Sequence, residues 1–223
     1  MSLPFQILDT FKVHNHLILY RELHIQRILR TILFLRTNHG FHADVKFEPL
    51  IRQQYMQIEA NHLEPTKVRV VIDLMAFKIK FSTESIVENP PRIQLKFCQV
   101  GLQKSGLGIG NFKTTDRKYW EQNAYLIQTP NDDLIGENDK GEVTETSRFS
   151  IFVREGTTLF TPPLDSGCLA GVFREFLLHQ KQVDLNHQFL NVLERSMSKN
   201  DLSANPVYVG NSVRGLLQAS LTS

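Results

Sequence analysis

Phe112-Lys113-Thr114-Thr115-Asp116-Arg117-Lys118-Tyr119-Trp120 is the stretch on which the reading of this 223-residue chain turns. Gly106, Gly108 and Gly110 lead into it, and an amphipathic pattern reaching about Leu126 leads out. Lys113 is therefore expected at the mouth of a helix, where pliant backbone becomes fixed. A lysine amine so placed can be desolvated and held neutral, as covalent attack on a carbonyl carbon requires. Taken alone, a lysine there is more often a solvated residue of a helix's first turn.

On the N-terminal side, Ile7 to Val13 alternates as a strand, and His14-Asn15-His16 turns the chain into Leu17-Ile18-Leu19-Tyr20. Glu22 to Arg36 carries a broad apolar face at helical spacing, with Arg27 and Arg30 off its middle. A second helix is expected over Val45 to Ile58. Strands follow at Lys67 to Leu74, Phe77 to Ser82 and Ile93 to Val100. These elements make an α+β layer of mostly antiparallel strands. Beyond Leu126, short strands are expected at 133–137, 142–146, 150–154 and 158–161, then helices at 171–180 and 188–198 and a last strand at 207–209. The boundary between halves is expected between Gln103 and Phe112, giving domains 1–105 and 106–223.

The totals set limits. Hydrophobic residues at 41% and charged residues at 22% are ordinary for a globular protein. A net charge of +2 argues for neither nucleic acid nor an anionic membrane surface as partner. Cys98 and Cys168 form no CxxC pattern and read as reduced thiols, and no apolar run is long enough to span a bilayer. With no basic and apolar leader at the start, a cytoplasmic protein is expected.

Three constellations invite chemistry and fall short. The glycines before Lys113 lack phosphate-loop spacing, because two residues separate Gly110 from the lysine, and the third glycine of a dinucleotide fingerprint is misplaced. His14 and His16 share a strand face near His24, but no cysteine or acidic residue completes a ligand spacing, so no metal is expected. Cys168 with His179 or His187 has only composition in its favour, and a buried free thiol is the simpler reading.

A fourth set occurs in order along nearly the whole chain. Leu8-Asp9-Thr10-Phe11-Lys12-Val13 is similar to an "ETxRV" strand and His24-Ile25-Gln26-Arg27 to an "HLxRL" helix. Then come Lys113-Thr114-Thr115-Asp116-Arg117, Gly141-Glu142-Val143-Thr144-Glu145, Ser150-Ile151-Phe152-Val153 and Leu159-Phe160-Thr161-Pro162-Pro163-Leu164. Gly171-Val172-Phe173-Arg174 and Val209-Gly210-Asn211-Ser212-Val213-Arg214-Gly215 close the series, the last resembling a "TNSLxG" turn. With this spacing the chain resembles the class IV pyridoxal-phosphate enzymes. These are the D-amino-acid and branched-chain aminotransferases and 4-amino-4-deoxychorismate lyase.

The resemblance implies a two-domain fold of the D-amino-acid aminotransferase type, with an N-terminal α/β sandwich and a C-terminal β-barrel-like domain with helices. It implies pyridoxal 5'-phosphate as cofactor, bonded to Lys113, which also moves a proton at the substrate carbon. Glu145 matches the carboxylate that keeps the pyridine ring protonated. Arg27, the backbone amides of Val172 and Phe173, and the Ser212 hydroxyl match the phosphate ligands. Without the family, Arg27 reads as solvated on a polar helix face, Val172 and Phe173 as core, Ser212 as a turn residue and Glu145 as a surface strand residue. Three positions depart from the pattern: Phe173 replaces the threonine of "GITR", Ser150 replaces an asparagine, and Lys118 stands where branched-chain enzymes carry tyrosine, with Tyr119 one further on. The missing tyrosine and the short chain lean toward the lyase that releases pyruvate to give 4-aminobenzoate for folate synthesis, while Phe173 and Ser150 are the features that permit a non-catalytic descendant. An aminotransferase for D- or branched-chain amino acids and a non-catalytic descendant stay open. A small amino-acid-like substrate and a homodimer are expected by the same analogy.

Overall fold

The computed structural model describes residues 5–39 and 47–222. The chain forms two compact units, Met1–Glu88 with Phe112–Asp116, and Asn89–Asn111 with Arg117–Ser223. The expected 105/106 boundary thus lies inside a segment of the second unit, and the short piece that holds Lys113 packs with the first.

In the first unit, β1 (Ile7–His14) turns through Asn15 and His16 into β2 (Leu17–Ile18). Both turn residues have positive φ, 51° and 60°, the pairing that a two-residue hairpin needs to match strand twist. α1 (Arg21–His39) and α2 (Phe47–Asn61) follow. The Val45 start expected for the second helix lies outside the described residues. β3 (Thr66–Asp73) and β4 (Lys78–Ser85) complete a four-stranded antiparallel sheet ordered β2-β1-β3-β4. Alternation decides its faces. Ile7, Phe11 and Val13 on β1 and Val68, Val70 and Ile72 on β3 are buried in one core with Ile25, Ile28, Ile32 and Leu35 of α1. Ile51, Tyr55 and Ile58 of α2 close that core at helical spacing.

The segment 112–116 extends this sheet. Thr114 bridges Ile7 in antiparallel register, Leu8 N donates to Lys113 O (2.9 Å) and Thr115 N donates to Gln6 O (2.9 Å). Phe112 stacks on Phe34 of α1, their centroids 4.3 Å apart. Lys113 therefore sits in extended backbone and not at a helix mouth, which corrects the expectation. β-branched Thr114 and Thr115 suit that conformation.

In the second unit, β5 (Ile93–Phe97) precedes a helix that is only one turn long, α3 (Lys118–Glu121). The expected helix to Leu126 stops there because buried Asn123 bonds to Val100 O, Tyr119 O and the amides of Gln99 and Val100. β6 (Asp132–Glu137), β7 (Val143–Thr146), β8 (Ser150–Glu155) and β9 (Thr158–Thr161) follow, then α4 (Val172–Gln180). β10 (Gln182–Leu185) and β11 (Gln188–Glu194) form a hairpin across Asn186 and His187, again both at positive φ. The helix expected at 188–198 is thus a strand over most of its length. Phe189, Leu190, Val192 and Leu193 fit either period, and pairing with β9 and β10 selects the extended form, with Leu190 and Val192 buried. α5 (Lys199–Ala204), capped by a Ser198–Asp201 capping box, leads to β12 (Val207–Asn211) and β13 (Gly215–Leu221).

The expected barrel-like domain is a nine-stranded mixed sheet ordered β10-β11-β9-β8-β12-β13-β5-β6-β7. Ile93, Leu95, Ile151, Val153 and Val209 are among its buried residues. No helix among the described residues is long and apolar enough to cross a membrane.

Candidate functional site

Lys113 is held by its backbone. Its carbonyl accepts from Leu8, and the Gln6 N–H donates to the Thr115 hydroxyl (2.9 Å) on its other side. Because Thr114 opposes Ile7 on the buried face, Lys113 falls on the opposite face with Leu8, Thr10 and Lys12.

That face is basic. Leu8 pairs with Val71 and Val71 with Lys80, while Thr10 pairs with Arg69 and Lys12 with Lys67. Lys67 is paired with Glu84. Neither Arg69 nor Lys12 has a side-chain hydrogen bond or ion pair among the described residues. Lys12 stands directly across from Lys67 and diagonally from Arg69, a like-charge arrangement that destabilises a sheet unless an anion balances it. Strand spacings of ~4.8 Å and a rise of ~3.4 Å put Arg69 about 12 Å from Lys113, within reach of one small molecule. The sequence reading missed this, although the alternation of Lys67 and Arg69 with Val68 and Val70 contained the signal.

Arg27 is buried at 5% exposure, which removes the solvated reading. Its Nη2 donates to Asp9, and its Nε is buried with no partner among the described residues. Asp9 also accepts from His24 Nδ1 (3.0 Å to Oδ2) and from the Tyr55 hydroxyl (2.9 Å). Burial pushes the Asp9 carboxyl up, but the charges of Arg27 and His24 and their hydrogen bonds outweigh it and hold Asp9 well below the usual carboxylate range. Burial holds His24 below its ordinary value, against the pull of Asp9. Asp9 is thus a carboxylate and His24 neutral at pH 7.

In the second unit, Gly171 caps α4 without a side-chain bond. A Cβ on Gly171 would lie 2.6 Å from Ser150 Oγ, and one on Gly210 would lie 2.6 Å from the Phe173 ring. The start of α4, the start of β8 and the end of β12 therefore meet, with Ser212 buried two residues past Gly210. Val172 and Phe173 are core residues by side chain, at 1% and 6% exposure, while their amides lie in a helix's first turn, where N–H groups favour an anion. Arg174 is structural: its Nε and Nη2 donate to Pro162 O at 3.2 and 2.7 Å, and it pairs with Glu194. Glu145 lies on β7, half-buried, and its charge is felt at Cys168. Burial pushes that thiol up to about 12, which rules out a resting thiolate.

Taken unit by unit, the donors suit an oxyanion. A buried guanidinium keeps an unpaired N–H in the first unit, which also carries Lys113, and a helix start beside a buried serine lies in the second. In the first unit Arg27, and in the second the amides of Val172 and Phe173 with the Ser212 hydroxyl, are each donors of the kind that would suit a phosphate. If Glu145 serves the ring, Glu145→Gln is expected to slow proton abstraction about 100-fold. Single-turnover kinetics with α-deuterated substrate checks this, and an unchanged rate removes Glu145 from the role.

The chain matches the family described as amino-transferase class IV over residues 6–221. No curated protein matches it. Among solved structures, a Mesorhizobium loti protein provisionally named an amino-acid aminotransferase is similar at 21% identity and TM-score 0.81, over 98% of this chain and 100% of that one. The Pseudomonas aeruginosa 4-amino-4-deoxychorismate lyase aligns at 16% identity and TM-score 0.74, over 100% and 88%. The Escherichia coli branched-chain amino acid aminotransferase aligns at 14% and 0.73, over 98% and 77%.

Proposed function

Because this chain belongs to the class IV aminotransferase family, whose members are pyridoxal-phosphate-dependent enzymes, we propose that it is a 4-amino-4-deoxychorismate lyase, releasing pyruvate and leaving 4-aminobenzoate. The observation that carries the reading is the pair of unpartnered cations, Arg69 and Lys12, on the sheet face that holds Lys113. Aminodeoxychorismate has two carboxylates, one on the ring and one on the enolpyruvyl group, and can balance such a face. A branched-chain amino acid has one carboxylate and an apolar side chain, and would leave the cations unmatched.

When bound, the cofactor supplies the acceptor for the electron pair released at carbon. Lys113 takes the proton from the ring carbon that bears nitrogen. The C–O bond to the enolpyruvyl group then breaks, the ring becomes aromatic, and the departing enol takes up a proton to become pyruvate. Arg69 and Lys12 orient the dianion by its carboxylates. A homodimer is the assembly expected with this reading.

The test is incubation with aminodeoxychorismate and pyridoxal phosphate but no 2-oxo acid, following 4-aminobenzoate by fluorescence and pyruvate with lactate dehydrogenase. Equal amounts of both products are expected. Turnover that appears only on adding a 2-oxo acid would make the chain an aminotransferase. Failure to bind the cofactor would make it a non-catalytic member. Arg69→Gln is expected to raise KM for aminodeoxychorismate about tenfold or more with kcat nearly unchanged. An unchanged KM would take the basic face out of substrate binding.

A further inference from the structure

Asp9, His24, Tyr55 and Arg27 are all buried in the first unit, at 0%, 0%, 1% and 5% exposure. Both oxygens of the Asp9 carboxylate are engaged. Oδ1 accepts from Arg27 Nη2 and lies 3.1 Å from His24 Nδ1, while Oδ2 accepts from His24 Nδ1 (3.0 Å) and the Tyr55 hydroxyl (2.9 Å). Two of these donors lie far off in sequence and are fixed by packing. The Tyr55 ring stands 4.8 Å from Phe11, and His24 meets the same Phe11 edge-on at 5.4 Å. The Thr31 hydroxyl donates to Arg27 O (2.8 Å) one turn on.

For stability alone, a buried guanidinium facing a carboxylate would engage it through both Nε and Nη, the two-bond fork geometry that gives Nε an acceptor. Here only Nη2 reaches Asp9. Among the described residues, Arg27 Nε stays buried with no acceptor, and His24 Nε2 is also without a partner. A stranded buried N–H costs free energy, so each such group in a native fold asks for an explanation. Asp9 Oδ2, the oxygen that a second Arg27 donor would use in a fork, is already engaged by the Tyr55 hydroxyl and by His24 Nδ1.

We propose that Tyr55 and His24 are positioning residues for Arg27, acting through Asp9 to hold the guanidinium so that its Nε–H stays available to an oxyanion. The inference rests on the reading of Arg27 as a phosphate ligand. It assigns a role to Tyr55, a residue of α2 outside every motif of the sequence. His24 donates from Nδ1, since the carboxylate can only accept, and this fixes its tautomer. Removing the Tyr55 hydroxyl frees one Asp9 oxygen, which can then draw Arg27 Nε and lose it to the ligand.

The experiment compares the dissociation constants of pyridoxal phosphate and of pyridoxal, which lacks the phosphate, by absorbance titration of the full chain. Wild type, Tyr55→Phe and Arg27→Ala are measured alike, with near-ultraviolet circular dichroism as the check of packing. Tyr55→Phe keeps the buried ring and is expected to weaken pyridoxal phosphate about tenfold while leaving pyridoxal unchanged. Equal weakening of both compounds in Tyr55→Phe would mean a general packing defect and overturns the proposal. An unchanged preference in Tyr55→Phe, alongside a lost preference in Arg27→Ala, overturns the positioning role and keeps Arg27 as the ligand. If Arg27→Ala keeps the wild-type preference for the phosphorylated compound, the Arg27 reading fails first and the inference falls with it.

Discussion

Lys113→Ala is expected to abolish turnover, with a rate at least about a thousandfold below wild type, while the unfolding midpoint stays within about 0.5 kcal/mol of wild type in stability. The two halves of that expectation have separate physical sources. The amine is the group that the proposed chemistry cannot replace, since it must both bond to a carbonyl and move the proton. The backbone of residues 113–115 is held by hydrogen bonds from Leu8 and Gln6 that alanine leaves untouched. Borohydride reduction of the protein with bound cofactor, followed by peptide mapping, should label the peptide containing Lys113 in wild type and leave Lys113→Ala unlabelled. Full activity in the variant would sink the mechanism, and labels spread over surface lysines would mean that the cofactor has no defined seat.

Asp9→Ala should be the most damaging single change to the fold. It strands the Arg27 charge, the Tyr55 hydroxyl and the His24 N–H together in a buried pocket, and breaking a buried pair in this way costs about 3–5 kcal/mol. Urea denaturation measures it directly, and a loss under about 1 kcal/mol would show that the pocket relaxes or takes up water. The same cluster sets a pH dependence whose sign can be worked out. Asp9 has a folded pKa below its unfolded value, so its contribution is fully present above about pH 4 and is lost as pH falls toward the folded value. His24 is also lowered, so the unfolded chain binds more protons below about pH 6.5, and stability falls there too. Both act in one direction. Wild type should lose stability on acidification from pH 7 in two stages, and His24→Gln should lack the first of them. A flat profile between pH 7 and 5 would rule out His24 as its source.

Much of this architecture was legible because hydrophobic period is a local property. β1, β3 and β6 to β9 stand within a residue or two of where alternation puts them, and α1 runs three residues past its expected end at Arg36. β11 was not legible, because four apolar residues in five positions satisfy both periods and only its partners decide. The Lys113 segment failed for another reason: a two-bond strand has no period to read, and a neighbouring glycine run suggested a helix entry instead. Among site residues, Arg27, Lys113 and Glu145 came from ordered motifs. Arg69 was within reach of alternation alone. Tyr55 was not, since its bond to Asp9 spans 46 residues and leaves no trace in the local sequence.

The interleaving of the two units has a consequence for synthesis on the ribosome. The first unit lacks its last strand segment until residue 116 has emerged, well after β4 is available. In the second, β5 lies between β13 and β6, so the strand begun at Ile93 waits for Gly215–Leu221, more than a hundred residues later, before both its edges are covered. Neither unit corresponds to a contiguous stretch that a nascent chain could complete and set aside. Closure of the large sheet therefore waits on pairings of long sequence separation. Pairings of such long sequence separation predict slow refolding and a transiently bare strand edge, the condition under which a crowded cell would require a chaperone for this protein.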